Sequence, residues 1–143
     1  MLEFIKATTL SLDNFDEPAK EASAEGYRFV DRLLEEWRDG TNRFDRDGEV
    51  LLLAFENDVL AGIGGITWEP GNPDLLRMRR FFICSKFRRK SVATLLVSEI
   101  LLGLESDDRN IVVNAGTSVA PLFWEAIGFE AVTNQPYSHI LSR

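Results

Sequence analysis

One cysteine, one histidine and two tyrosines are all that 143 residues hold of the side chains most used for redox, metal and proton chemistry. Cys84 alone cannot close an internal disulfide, and Cys84 with His139 cannot supply the usual ligand set of a metal site, so no metal is expected. No apolar run approaches the roughly 18 residues that span a bilayer, and the opening MLEFIKATTL lacks a signal peptide's apolar core and cleavage site. A cytoplasmic protein without a membrane partner is the expectation. Internal repeats and low-complexity tracts are absent too.

Acids are missing from one particular stretch. Between Asp74 and Glu99 there is no Asp or Glu, yet Arg77, Arg79, Arg80, Lys86, Arg88, Arg89 and Lys90 all fall there. The whole chain carries a formal charge of −7, which leaves everything outside this island at −14. A basic island in an acidic chain suits a small anion. A nucleic acid would meet the surrounding negative charge, so none is expected as a partner.

The remainder is ordinary for a folded domain, with 45% hydrophobic and 27% charged residues, and residues 1–143 read as one domain. Residues 4–10 read as a first strand. Residues 13–38 read as one long helix or two, with Ala22, Phe29, Val30, Leu33, Leu34 and Trp37 on an apolar stripe, Gly26 as a break and Gly40 as the stop. Residues 50–55 and 59–68 form two apolar runs around Glu56, Asn57 and Asp58, a hairpin signal. Gly62, Gly64 and Gly65 would weaken the second run unless a bulge or a closely approaching neighbour needs them. Residues 69–73 are predicted as a loop.

Residues 75–83 read as a strand in which Arg77, Arg79, Phe81 and Ile83 share a face. After a polar turn over residues 84–90, Ala93, Leu96, Val97, Ile100, Leu101 and Leu104 repeat at helical spacing. Residues 110–114 form the next strand, which makes a strand-helix-strand unit with parallel strands and a right-handed crossover. Ser118 is a candidate N-cap, Pro121 suits a first helical turn, and residues 129–133 and 138–141 close the chain as a hairpin. A helix start exposes up to four unpaired N–H groups and partial positive charge, a setting for phosphate oxygens.

Two segments carry a resemblance. ICSKFRRKSVA, residues 83–93, resembles the acyl-CoA signature Arg/Gln-x-x-Gly-x-Gly/Ala of the GCN5-related N-acetyltransferase (GNAT) superfamily, with Arg88 and Ala93 matching and Ser91 at the middle glycine. APLFWEAIGF, residues 120–129, resembles that family's later Ala-x-x-Phe-Tyr-x-x-x-Gly-Phe signature, with Trp124 at the tyrosine. The order of elements agrees along nearly the whole chain. The resemblance implies an α/β (α+β) fold: a mixed, mostly antiparallel twisted sheet of six to seven strands, a central parallel βαβ unit and about four flanking helices.

It further implies direct transfer of an acetyl or other acyl group from acetyl-CoA to a primary amine on a small molecule or a protein, and it admits a homodimer. The cofactor contacts carried over are Phe82, Ile83 and Cys84 at the strand end, then Arg88, Arg89, Lys90, Ser91, Val92, Ala93 and Thr94, with Asn114, Thr117 and Phe123 beyond. The alternative is a catalytically weak relative that binds coenzyme A as a sensor or assembly element.

Three departures bear on catalysis. Trp124 stands where many members place a tyrosine acid; an indole N–H donates but does not dissociate near neutral pH, so it either steadies the sulfur or is a core aromatic. Arg77 stands where some members have a glutamate base, and arginine cannot serve as one. Arg77 and Arg79 could grip an anionic group on the acceptor or pair with the protein's own acids. Ser91 costs little if its backbone is helical and about 1 kcal/mol or more if φ is positive. Tyr137 is a candidate replacement acid, His139 a candidate relay, Glu69 and Asp74 the nearest carboxylates for a base, and Cys84 either a nucleophile or a shielded thiol.

Overall fold

Strand β2 (Val50–Glu56) returns into β3 (Val59–Glu69) through Asn57 and Asp58, whose φ values of 49° and 66° make the mirror-image turn that matches strand twist. The computed structural model describes residues 1–8, 12–88, 91–115 and 121–143. Strand β1 is Leu2–Lys6, earlier than the predicted 4–10. Its register with β2 starts at Leu2 opposite Glu56, whose carboxylate also takes the N-terminal ammonium at 2.6 Å.

Helices α1 (Leu12–Ala24) and α2 (Phe29–Asp39) are separate, and Gly26 at φ 86° provides the break; Gly40 at φ 80° ends α2. Strand β4 is Asn72–Ile83, so the predicted loop at 69–73 shrinks to Pro70 and Gly71, with Gly71 at φ 78° and Glu69 already paired with Asn72. Then follow a single 3-10 turn, Ser85–Phe87, helix α3 (Val92–Leu102), β5 (Asn110–Val113), α4 (Pro121–Ile127), β6 (Glu130–Ala131) and β7 (His139–Leu141). The candidate N-cap Ser118 lies outside the described residues.

Among the described residues the sheet has seven strands in the order β1-β2-β3-β4-β5-β7-β6, and only β4 and β5 run parallel. This is the mixed sheet with a central βαβ unit that the sequence motifs imply. Helices α1 and α2 bury Phe15, Val30 and Leu33 against Leu51, Leu53, Ile63 and Phe82 on one face. On the other, α3 and α4 bury Leu96, Val97, Ile100 and Trp124 against Leu76, Met78, Phe81 and Ile83. Burial of these stripes is the main driving force for the two layers. Among the described residues no helix is long and apolar enough to cross a membrane.

The expectation that Arg77, Arg79, Phe81 and Ile83 share a face is corrected by a bulge. Between the pairs Arg79–Gly65 and Phe82–Ile63, two β4 residues oppose the single Gly64, and Arg80 takes φ 59°. The extra residue inverts the alternation, so Leu76 and Met78 before it and Phe81 and Ile83 after it all join the α3 layer. The β3 glycines are explained by the same crowding. A Cβ on Gly64 would lie 2.5 Å from the Phe81 ring, and one on Gly65 would overlap Phe44.

Candidate active site

The β4–β5 ladder runs from Leu75–Asn110 to Met78–Val113 and stops there. On the β5 side the chain turns away: Ser138 N–H donates to Val113 O (3.1 Å), and the Ser138 hydroxyl accepts from Ala115 N–H (2.8 Å). On the β4 side the bulge turns the strand. The resulting wedge is filled from the α4 layer by Trp124, 2% exposed, whose ring stands edge-on to Phe81, Phe123 and Phe129 at 5.1–5.3 Å between centroids.

Past the wedge, β4 has only β3 as a strand neighbour among the described residues. Cys84 N–H donates to Ala61 O (2.9 Å), and antiparallel alternation therefore turns the peptide groups of Ile83 toward the open edge. An open edge beside a helix start is a place for an extended, amide-bearing ligand to dock.

The loop that follows is clamped from α1. Glu21 accepts from Ser85 N–H at 3.2 Å and from its hydroxyl, while Glu25 takes both terminal nitrogens of Arg88 at 2.7 Å. Arg88 Nε donates to Ile83 O at 2.9 Å, and its guanidinium lies 5.4 Å from the Phe82 ring centre. The hydrogen bonds from Arg88 hold the Glu25 carboxyl below the usual carboxylate range. Arg88, carried over above as a cofactor contact, braces the strand end and α1 in this structure.

Ser91 then opens α3 with φ 64° and ψ 12°, the left-handed region, and its side chain makes no capping bond. The glycine of the motif is therefore a conformational requirement that this chain meets with serine, at a strain of about 1–2 kcal/mol. Val92 is buried, Ala93 half-buried and Thr94 exposed at the first turn.

A cleft of about 740 Å³ lies across the wedge, with Phe81, Val113, Asn114 and Trp124 at its apolar end and Arg28, Arg32, Arg77, Arg79 and Arg80 around the rest. Arg77 is taken by Glu69 in a fork of 2.6 and 2.9 Å and also donates to Pro136 O, and Arg80 pairs with Glu36 at 2.8 Å. Among the described residues, Arg79 makes no ion pair within 4.0 Å, and its Nε is buried without a partner.

Other residues singled out in the sequence fall as follows. Tyr137 is half-buried and follows Pro136 without lining the cleft. Cys84 is buried, its thiol bonded to Leu60 O at 3.4 Å, and burial followed by the Glu21 charge pushes it up to about 12; it is a shielded thiol. His139 is buried between the Ser138 hydroxyl (2.8 Å) and Glu125 (2.9 Å) and braces the end of β5. Asp74 is exposed and outside the cleft. Phe123 is half-buried against the α4 layer. Arg89, Lys90 and Thr117 lie outside the described residues.

Sequence reasoning missed Arg28, Arg32, Glu21 and Glu25. The acids left a signal, a pair at i, i+4 on one helix face opposite a basic loop. Among the described residues no group of three or more His, Cys, Asp or Glu side chains is arranged to hold a metal ion.

A family model described as an acetyltransferase (GNAT) domain matches residues 18–141. No curated protein sequence matches the chain. Among solved structures, a protein of Exiguobacterium sp. 255-15 assigned to the acetyltransferases superposes with a TM-score of 0.88 at 21% identity, over 99% of this chain and 93% of that one. A predicted acetyltransferase of Clostridium acetobutylicum with acetyl-CoA gives 0.62 at 11% identity, over 94% of each chain. PaiA N-acetyltransferase of Thermoplasma acidophilum, in complex with coenzyme A, gives 0.63 at 16% identity over 98% of this chain and 96% of that one.

Proposed function

Since the chain belongs to the GNAT acetyltransferase family, we propose that it transfers an acetyl group from acetyl-CoA directly to a primary amine. The observation that carries this reading is the open β4 edge at Ile83, which leads within a short loop to a helix opened by a left-handed residue at the motif's glycine. The residues present fit the cofactor. Ile83 offers its N–H to an extended pantetheine arm, its carbonyl being held by Arg88, and the amides of Val92, Ala93 and Thr94 are the N–H groups of the α3 start that would take its diphosphate. When bound, acetyl-CoA supplies a thioester carbonyl; one N–H and one C–S bond are exchanged for an amide C–N bond and a thiol S–H.

The chain's own part is chiefly positioning. Trp124 and Phe81 wall the wedge and exclude water, the Ile83 peptide fixes the reacting end, and the arginine side of the cleft receives the amine. Glu69 is the one carboxylate among the residues lining the cleft, and Arg77 occupies both its oxygens. The amine therefore enters neutral and loses its second proton to solvent. Trp124 can donate a hydrogen bond to the sulfur and cannot protonate it.

A second reading, a coenzyme A-binding module with little or no turnover, is favoured by the Glu69–Arg77 fork, which leaves no unpaired carboxylate base among the described residues lining the cleft. Calorimetry with acetyl-CoA, followed by a thiol-release assay over a panel of amines, tests both. Binding with turnover is expected; binding without it over the whole panel gives the second reading, and absence of binding removes both. Acetyl-CoA at 100 times its Kd should add about 2.7 kcal/mol to stability.

A further inference from the structure

The cleft holds more positive charge than the protein neutralises. Of its five arginines, Arg77 and Arg80 have carboxylate partners, while Arg79, Arg28 and Arg32 have none within 4.0 Å among the described residues. The chain has 23 acidic residues for 16 Lys and Arg, so a shortage of acids is not the reason. Arg79 is the telling one. It stands on β4 one residue before the bulge, half-buried, with its Nε enclosed and unbonded. Burial first, and then the neighbouring Arg80 charge, make its cation costly to hold, and the charges of Glu36 and Glu69 offset only part of that cost without an ion pair to Arg79. A half-buried guanidinium with an enclosed, unbonded Nε and no ion pair of its own is a place for an anion from outside.

Geometry narrows the choice. Arg28 and Arg32 lie one turn apart at the start of α2, where Arg32 N–H donates to Arg28 O, and both line the cleft together with Arg79. Guanidinium forks suit carboxylate and phosphate oxygens. Met78, Arg79, Phe81 and Trp124 line one continuous space, so the anion site and the wedge share one cleft. A volume of about 740 Å³ is that of a small-molecule site.

We infer that the acceptor is a small primary amine carrying its own anionic oxygen group, a carboxylate or a phosphate, which Arg79 grips with Arg28 and Arg32 while the amine points toward the Phe81–Trp124 wedge. This rests on the acetyltransferase reading and names its substrate class. Arg79 is here a binding residue, and Arg77 belongs to the wall through Glu69.

The test measures binding to the protein saturated with coenzyme A, which has no acyl group to transfer, by calorimetry, for 4-aminobutyrate and O-phosphoethanolamine against butylamine, ethanolamine and 1,4-diaminobutane. The anionic probes should bind about ten- to a hundredfold more tightly than their neutral counterparts. Which of the two binds better separates carboxylate from phosphate. In Arg79→Met that ratio should fall at least about tenfold, with partial rescue in Arg79→Lys, which keeps the charge and loses the fork. Arg32→Ala, an exposed position safe for folding, should lower it by a smaller factor.

Equal or tighter binding of the neutral or dicationic probes, or no binding of either anionic probe, overturns the inference and leaves the transferase reading intact. A rise in the acetyl-CoA Kd of Arg79→Met with an unchanged probe ratio would assign the arginines to the cofactor's phosphates and overturn it as well. Failure of wild-type protein to bind acetyl-CoA at all is a separate result, which removes the parent reading.

Discussion

Residues 75–78 and residues 79–83 belong to one strand, β4, and live in different surroundings. The first four are laddered to β5 on one edge, Leu76, Arg77 and Met78 also pair with β3 on the other, and Leu76 and Met78 are sealed in the core. Among the described residues the last five have β3 as their paired neighbour, contain a bulge and a left-handed arginine, and border the cleft through Arg79, Arg80 and Phe81. Full pairing leaves a backbone nothing to offer a ligand, whereas a strand released on one edge has peptide groups to spare. The chemistry gathers where the sheet stops being a sheet, and the interruption is held open by packing on both sides.

Removing the wedge should break that contrast most severely. Trp124→Ala deletes the ring that separates the ends of β4 and β5, and a loss of about 3–5 kcal/mol is expected from chemical denaturation; a cost under about 1 kcal/mol would mean the strands part for another reason. Next comes the bulge. Gly64→Ala places a Cβ against Phe81 and should cost about 1–3 kcal/mol, while Thr67→Ser, opposite the fully laddered half, should stay within about 1 kcal/mol.

Thr94→Asp sharpens the comparison from the ligand side. An exposed acid in the first turn of α3 favours the helix by about 0.3–1 kcal/mol, so the melting temperature should hold or rise. The same charge faces the proposed diphosphate, and acetyl-CoA affinity should drop at least about tenfold, or about 1.4 kcal/mol. A variant that is more stable and still binds normally would place the cofactor elsewhere. The smallest effect is expected of Ser91→Gly, which relieves a positive φ against the entropy of glycine and should gain about 0.5–1 kcal/mol.

Much of this architecture was readable beforehand. The hairpin at Asn57 and Asp58, the break at Gly26, the stop at Gly40 and the amphipathic run of α3 are local signals, and local signals survive folding because neighbours in sequence remain neighbours in space. The face shared by Arg77, Arg79, Phe81 and Ile83 was misjudged because a period-2 count assumes an unbroken ladder, and a bulge forced by Gly64 and Phe81 is a contact between strands. The Glu69–Arg77 fork, the Glu25–Arg88 clamp and the exposure of Arg28 and Arg32 to the cleft likewise join residues 8 to 63 positions apart or from separate elements.

Composition, periodicity and the two motifs were enough to establish an α/β fold, its order of elements, its kinship and the island of basic charge, since each depends on residue type and short spacing. Which arginines are neutralised, which way Ile83 turns its peptide, and that Ser91 must carry a left-handed backbone were settled when distant segments packed, because charge pairing and strand registry are properties of atoms that meet across the fold.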